Sequence, residues 1–169
     1  PCRSRGLGDV YKRQVFVRSR CPYGLKGHPM PILKFPAPKL KLLPIVGDTE
    51  MYPVVRIFCV GRNYVAHANE MGGDVDREMP WYFTKSSQAL CQSAETVPYP
   101  TGTSNYHHEM ELVIALGKPA FRIEKERALD AVFGYACGFD MTRRDRQQEG
   151  KNARRPWSLG KDIENGAVV

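Results

Sequence analysis

The chain has no Cys-x-x-Cys pair, no apolar run long enough to cross a bilayer, no internal repeat and no low-complexity tract. Without paired cysteines or clustered histidines, a thiolate zinc site loses its usual ligands. Without a long apolar run there is no helical membrane span. No stretch has the basic, apolar, small-residue layout of a signal peptide. Of five cysteines, Cys2 and Cys21 lie in the first 29 residues, and Cys59, Cys91 and Cys137 are scattered. Cys59 and Cys137 sit inside apolar runs, the pattern of buried free thiols. A reducing compartment suits them: the cytoplasm, or a mitochondrial matrix if the source is eukaryotic.

An excess of acid is also missing, and the excess of base is misleading. The chain carries 25 Lys+Arg against 18 Asp+Glu, a net +7. Residues 1–29 hold seven of the bases and one of the acids, which leaves 18 against 17, or +1, in residues 30–169. The basic leader is itself suspect. Asp9-Val10-Tyr11-Lys12-Arg13-Gln14 can be coded GAT GTG TAT AAG AGA CAG, which looks like a transposon end used in sequencing adapters. The same frame accounts for Ser4 to Gly8. Residues 4–14 therefore read as translated adapter, 1–29 as a non-native or disordered leader, and 30–169 as one domain with Met30 as its start. Removing the leader removes the case for a nucleic-acid or anionic-membrane partner.

The domain reads as alternating short elements. The proline-rich "KFPAPKLKLLPIVGDTEMYPVV" is an extended lead-in with an edge strand. Strands are expected at Val54–Val60, Trp81–Lys85, Met110–Gly117 and Tyr135–Met141. "GRNYVAHANEMGG" reads as turn, short helix and glycine stop. Glu124–Gly134 has acids in a first turn, apolar residues at helical spacing and a terminal glycine, and predicts a helix. Thr142 and Asp145 make a capping-box-like start for another helix. Val168-Val169 suits a strand start, and the frame reads as truncated beyond it.

The chemistry concentrates in "HHEMELVIALG". On a strand, Glu109 and Glu111 project the same way, with Cα atoms roughly 6.5 Å apart. Leu112 to Leu116 is apolar on both faces, which predicts an interior strand. Carboxylates there must sit at an exposed strand end, pair with arginines, or bind a divalent cation. Asp140 ends another apolar strand, a common place for a site residue, although it could also cap the following helix. Three carboxylates would make a hard oxygen site that favours Mg²⁺ or Mn²⁺ over Zn²⁺. His67 and Glu70 are spaced i, i+3 on the short helix; taken alone the pair reads first as an exposed polar helix face, and it also suits a general base acting on water. The flanking Gly61 and Gly72-Gly73 fit a closing lid. Arg62, Lys85, Arg144 and Lys161 are nearby cations, and Lys85 ends an aromatic strand and is expected to point inward.

Four ordered blocks, "CVGRNYVAHANEM", "YFTK", "YPTGTSNYHHEMELVIALGK" and "GYACGFDMTRRDRQ…RPWSLGK", resemble the fumarylacetoacetate hydrolase family, in its fumarylpyruvate or acylpyruvate branch. The resemblance runs from about Leu43 to the end of the chain. It implies an α+β fold, a mixed, highly curved β-roll with flanking helices, and a homodimer. It implies Mg²⁺ or Mn²⁺ held by Glu109, Glu111 and Asp140, water activation by His67 and Glu70, and substrate contact by Lys85. Arg62, Arg144, Gln147 and Lys161 match positions lining the pocket. Ser86 stands where many relatives have proline. The last quarter of the family pattern, with a Gly-Thr-Pro turn, has no counterpart here.

The implied reaction is hydrolytic C–C cleavage of a 2,4-dioxo acid, giving pyruvate and a carboxylic acid. The implied substrate is a small anionic 2-oxo acid. Two rivals stay open: decarboxylation of oxaloacetate at the same site, and a non-catalytic fragment.

Overall fold

The computed structural model describes residues 32–61, 64 and 79–169. The chain divides into two units, residues 1–38 and 39–169. Of the first, only residues 32–38 are described. The second contains the elements that follow.

Strands β1 (Lys41–Pro44) and β2 (Met51–Val54) form an antiparallel hairpin, Lys41 opposite Val54. Gly47 turns it at φ +78°, a conformation that suits a residue without Cβ. The Asp48 carboxylate then accepts the Glu50 N–H at 3.0 Å. A proline-rich lead-in with one edge strand was expected. The turn chemistry of Gly47-Asp48 makes two strands instead.

Strand β3 (Ile57–Gly61) pairs antiparallel with β4 (Trp81–Lys85), Ile57 opposite Lys85 and Cys59 opposite Phe83. The run expected as one strand from Val54 to Val60 is therefore divided between β2 and β3. The expected lid helix lies outside the described residues. After β4, the Ser86 hydroxyl caps a 3₁₀ turn at Ser87–Ala89 by accepting the Gln88 N–H. The Ser86 N–H donates to Asp162 Oδ1 at 2.7 Å. Proline at position 86 would supply neither bond.

A mixed four-stranded sheet has the order β5-β10-β8-β7. Its members are β5 (Leu90–Cys91), β7 (Met110–Leu116), β8 (Val132–Asp140) and β10 (Ala167–Val168). β10 runs parallel to β5 and antiparallel to β8, and β7 pairs antiparallel with β8. A small ladder joins β6 (Tyr106–His107) to β9 (Thr142–Arg143). Two helices follow, α1 (Arg144–Asn152) and α2 (Ser158–Lys161). This mixture of short strands and few helices is α+β.

Three expectations fail here. The helix at Glu124–Gly134 is a 3₁₀ helix over Lys125–Ala131. Val132 to Gly134 belong to β8, because pairing with β7 claims their backbone. The capping box is not formed either. Arg143 stands at the N-cap without a side-chain bond, and Thr142 lies in β9. Asp145 instead accepts from Thr103 Oγ1 at 2.6 Å and Ser104 N at 3.1 Å, tying a preceding loop to α1. Third, among the described residues β7 is the last strand of its sheet and not an interior one. Its Glu111, Val113 and Ala115 are half-buried on one face, whereas Leu112 and Ile114 on the other are exposed. An apolar run reports the tolerance of a strand for burial, not the number of layers packed against it.

Buried apolar residues gather where β5, β10 and the end of β8 meet: Ala89, Leu90, Cys91, Ile163, Ala167 and Val168. This small core fixes the C-terminal end of β8, and so fixes Asp140. Among the described residues the cysteines Cys59, Cys91 and Cys137 are free. Cys91 is buried and Cys59 half-buried, but Cys137 is exposed, against expectation.

Candidate active site

The site is assembled from strand ends. Asp140 ends β8 and is 8 % exposed. Lys85 ends β4 and is 3 % exposed. Glu109 immediately precedes β7, and Glu111 follows on the same face. Lys161 closes the single turn of α2 and is buried.

Lys161 is the hub. Its ammonium donates to Glu109 Oε2 at 2.5 Å, Asp140 Oδ2 at 2.6 Å and Thr142 Oγ1 at 2.8 Å. It also stands 4.9 Å from the centre of the Phe83 ring, within cation–π range. Thr142 is fully buried and donates its hydroxyl proton to the Asp140 carbonyl at 3.0 Å. Lys85 Nζ donates to the Met141 carbonyl at 3.1 Å and to the Lys161 carbonyl. It lies 2.9 Å from Asp140 Oδ1, yet that oxygen accepts no well-directed hydrogen bond. Arg144 donates to Glu109 Oε1 and, at 2.6 Å, to Gln147 Oε1. Asp140 therefore serves the site and caps no helix.

These contacts set the protonation. Burial pushes the Glu109 carboxyl up, but Lys161 and Arg144 outweigh it and the net shift is downward. Burial also raises Glu111. A bond from Tyr64 opposes the rise, and the like charges of Asp140 and Glu109 add to it. The Cys59 thiol is pushed up to about 11, first by burial and then by Asp140.

A cavity of about 430 Å³ opens from this cluster, with Lys85, Glu111, Asp140, Cys59 and Tyr64 at its polar end. Its apolar walls come from β1 to β3 and from β7, β8 and β10, among them Leu43, Val54, Ile57 and Val113.

Of the residues expected at a site, the structure brings Lys85, Glu109, Asp140, Arg144, Gln147 and Lys161 into one network. Glu111 turns toward Tyr64. Arg62, His67 and Glu70 lie outside the described residues. Among the described residues no three His, Cys, Asp or Glu side chains stand together as an ion cage. The donor set nevertheless fits a hard dication in kind. It offers carboxylate oxygens only, two of them already share one cationic position, and a buried Asp140 oxygen lacks a well-directed donor.

Sequence reasoning missed Phe83, Cys59 and Thr142. Two of them were within reach. With Lys85 facing inward, period-two alternation places Phe83 on the same face, and Cys59 lies opposite Phe83. Thr142 was hidden by its reading as a helix cap.

Gly160 positions Lys161. A Cβ on Gly160 would meet Gln147 N at 2.7 Å and Gln147 Cα at 2.9 Å. Backbone cannot yield there as a flexible side chain could, so α2 would be pushed off α1. Gly160→Ala is expected to cost about 1–3 kcal/mol in a urea unfolding titration. The neighbouring Lys161 moves with the helix, so the variant should also loosen the Lys161 contacts to Glu109 and Asp140.

Comparison with known proteins finds relatives over most of the described chain. The family description "Fumarylacetoacetate (FAA) hydrolase C-terminal" matches residues 56–169. The chain is 55% identical over 100 residues to a fumarylpyruvate hydrolase of a Ralstonia species, covering 58% of this chain and 52% of that protein. It is 39% identical over 114 residues to a mitochondrial oxaloacetate tautomerase of Caenorhabditis elegans, covering 68% and 53%. It superposes with a TM-score of 0.75 and 43% identity on the fumarylpyruvate hydrolase of Pseudomonas aeruginosa solved with Mn²⁺ and pyruvate, covering 81% of this chain and 60% of that one. The chain thus spans about half the length of the curated relatives it matches.

Proposed function

Because the chain belongs to the fumarylacetoacetate hydrolase family, we propose that it hydrolyses a C–C bond of a 2,4-dioxo acid of the fumarylpyruvate class. The products are pyruvate and a carboxylic acid. The observation that carries this reading is the meeting of Glu109, just before β7, and Asp140, at the end of β8, on one cation, with Lys85 and Arg144 against their remaining oxygens. Similarity to a fumarylpyruvate hydrolase at 55% identity supports the substrate class.

Charge decides what the cavity accepts. Glu109, Glu111 and Asp140 carry three negative charges, and Lys85, Arg144 and Lys161 carry three positive ones, so the described cluster is neutral. A divalent cation raises it to +2. A dicarboxylate such as fumarylpyruvate carries two negative charges and matches that excess. When bound to Glu109, Glu111 and Asp140, Mg²⁺ or Mn²⁺ supplies Lewis-acid stabilisation of negative charge on the dioxo acid.

The protein's own groups do the rest. His67, held by Glu70, takes a proton from water, and the hydroxide adds to the distal carbonyl. The C–C bond breaks, its electron pair goes to the pyruvate carbon, and the proton returns from His67 to that carbon. Lys85 and Lys161 bear on the developing anion, a position where a fixed charge in a water-poor site acts most strongly. Arg144, bonded to Gln147, orients a substrate carboxylate, with Arg62 proposed as a further cation for the same task. This reading carries with it the curved β-roll, the homodimer and a cytoplasmic setting expected from the sequence.

A second reading rests on the tautomerase similarity: oxaloacetate is also a dicarboxylate 2-oxo acid and would enter the same pocket. Steady-state assays with fumarylpyruvate, acetylpyruvate and oxaloacetate, each with Mg²⁺ and with Mn²⁺, separate the two. Release of pyruvate and fumarate in equal amounts from fumarylpyruvate, lost on chelation, is the expected result. Turnover of oxaloacetate alone would transfer the site to the second reading.

A further inference from the structure

Both carboxylates at the heart of the cluster already have their oxygens occupied by protein cations. Glu109 presents Oε1 to Arg144 and Oε2 to Lys161. Asp140 presents Oδ1 to Lys85 and Oδ2 to Lys161. Only Lys161, among these three cations, touches both acids. With Thr142 Oγ1 it has three oxygen partners at 2.5–2.8 Å, the environment of a bound cation. Its side chain is 3 % exposed. Glu111, the third acid, is bonded by Tyr64 and feels the charge of this ammonium without being one of its three oxygen partners.

From this arrangement we infer that the Lys161 ammonium is a tethered counter-cation. It holds Glu109 and Asp140 together in the metal-free protein, a divalent cation must displace it in order to bind, and once displaced it is released toward the anionic substrate. A dication bonded to both carboxylates would lie against the ammonium, and the two positive charges repel each other. The lysine sits at the end of a single helical turn, so a rotation of its flexible stem suffices to move it. Binding of metal and arrival of a substrate-facing cation are then one event. This rests on reading the cluster as a divalent-cation centre.

The test uses Mn²⁺ alone, with no substrate. Mn²⁺ binding is measured by titration calorimetry on the unaltered protein and on Lys161→Met, which keeps the apolar stem and removes the charge. With its competitor gone, the variant is expected to bind Mn²⁺ about tenfold more tightly. A second measurement needs no variant. Reductive methylation followed by peptide mapping should modify Lys161 slowly in metal-free protein and several-fold faster at saturating Mn²⁺. Lys85, at 1 % side-chain exposure, serves as the buried reference. Mn²⁺ affinity that is equal or weaker in Lys161→Met, or methylation of Lys161 that does not change with Mn²⁺, overturns the inference and leaves the proposed function standing. No Mn²⁺ binding by either protein overturns both.

Discussion

Asp140→Asn is expected to cut hydrolysis by about 10³-fold or more and to weaken the metal-free fold at the same time. Asp140 is the acid that both Lys85 and Lys161 face, and it is buried. An amide keeps the shape but not the charge, so two ammonium groups are left facing a neutral group where water cannot reach them. Removing one partner of a buried ion pair is far costlier than the pair's net contribution, on the order of 3 kcal/mol. Three measurements check this: pyruvate release at saturating Mn²⁺, Mn²⁺ affinity, and the urea midpoint without metal. All three should fall. A variant with normal stability and normal Mn²⁺ affinity would remove Asp140 from the centre of the site. Glu149→Gln, which breaks the exposed Arg146 pair on α1, is the matched control and should leave all three unchanged.

His67→Ala is expected to lower hydrolysis of fumarylpyruvate by about 10³-fold, within the range seen when a general base is lost. Oxaloacetate decarboxylation and Mn²⁺ affinity should stay within about twofold of the unaltered protein, because neither needs an activated water. The comparison assigns chemistry to residues. If hydrolysis survives without His67, the base lies elsewhere. If both activities vanish with Mn²⁺ binding intact, His67 acts on the substrate and not on water.

Strand β4 was legible to its last residue, because "WYFTK" is aromatic and β-branched and a lysine ends it. β7 was legible as a short apolar run with Val113-Ile114 at its centre and Gly117 after its end. The stretch from Glu124 misled because acids in a first turn and apolar residues three or four apart do mark helices. What the local pattern could not carry was the demand of β7 for a partner, which drew Val132 to Gly134 into a ladder. Thr142 and Asp145 misled similarly. A threonine before an acid looks like a cap until the hydroxyl is needed by Lys161 and the carboxylate by Thr103. At the site, the acids were visible as interruptions of apolar strands. The role of Lys161 was not, because a lysine in "SLGK" looks the same whether it faces solvent or three buried oxygens.

The contacts that make the site join residues far apart in sequence: 52 positions separate Lys161 from Glu109, and 76 separate it from Lys85. The sheet beneath is closed the same way, by a parallel pairing of Ala167 with Leu90. Such long closures come late, since a nascent chain gains nothing from them until most of it has emerged. A ribosome-bound polypeptide that has not yet released the segment around residue 161 carries Glu109 and Asp140 with Arg144 and Lys85 available but without the one ammonium that bridges them. The bridge between the two carboxylates is therefore timed by translation of the segment around residue 161.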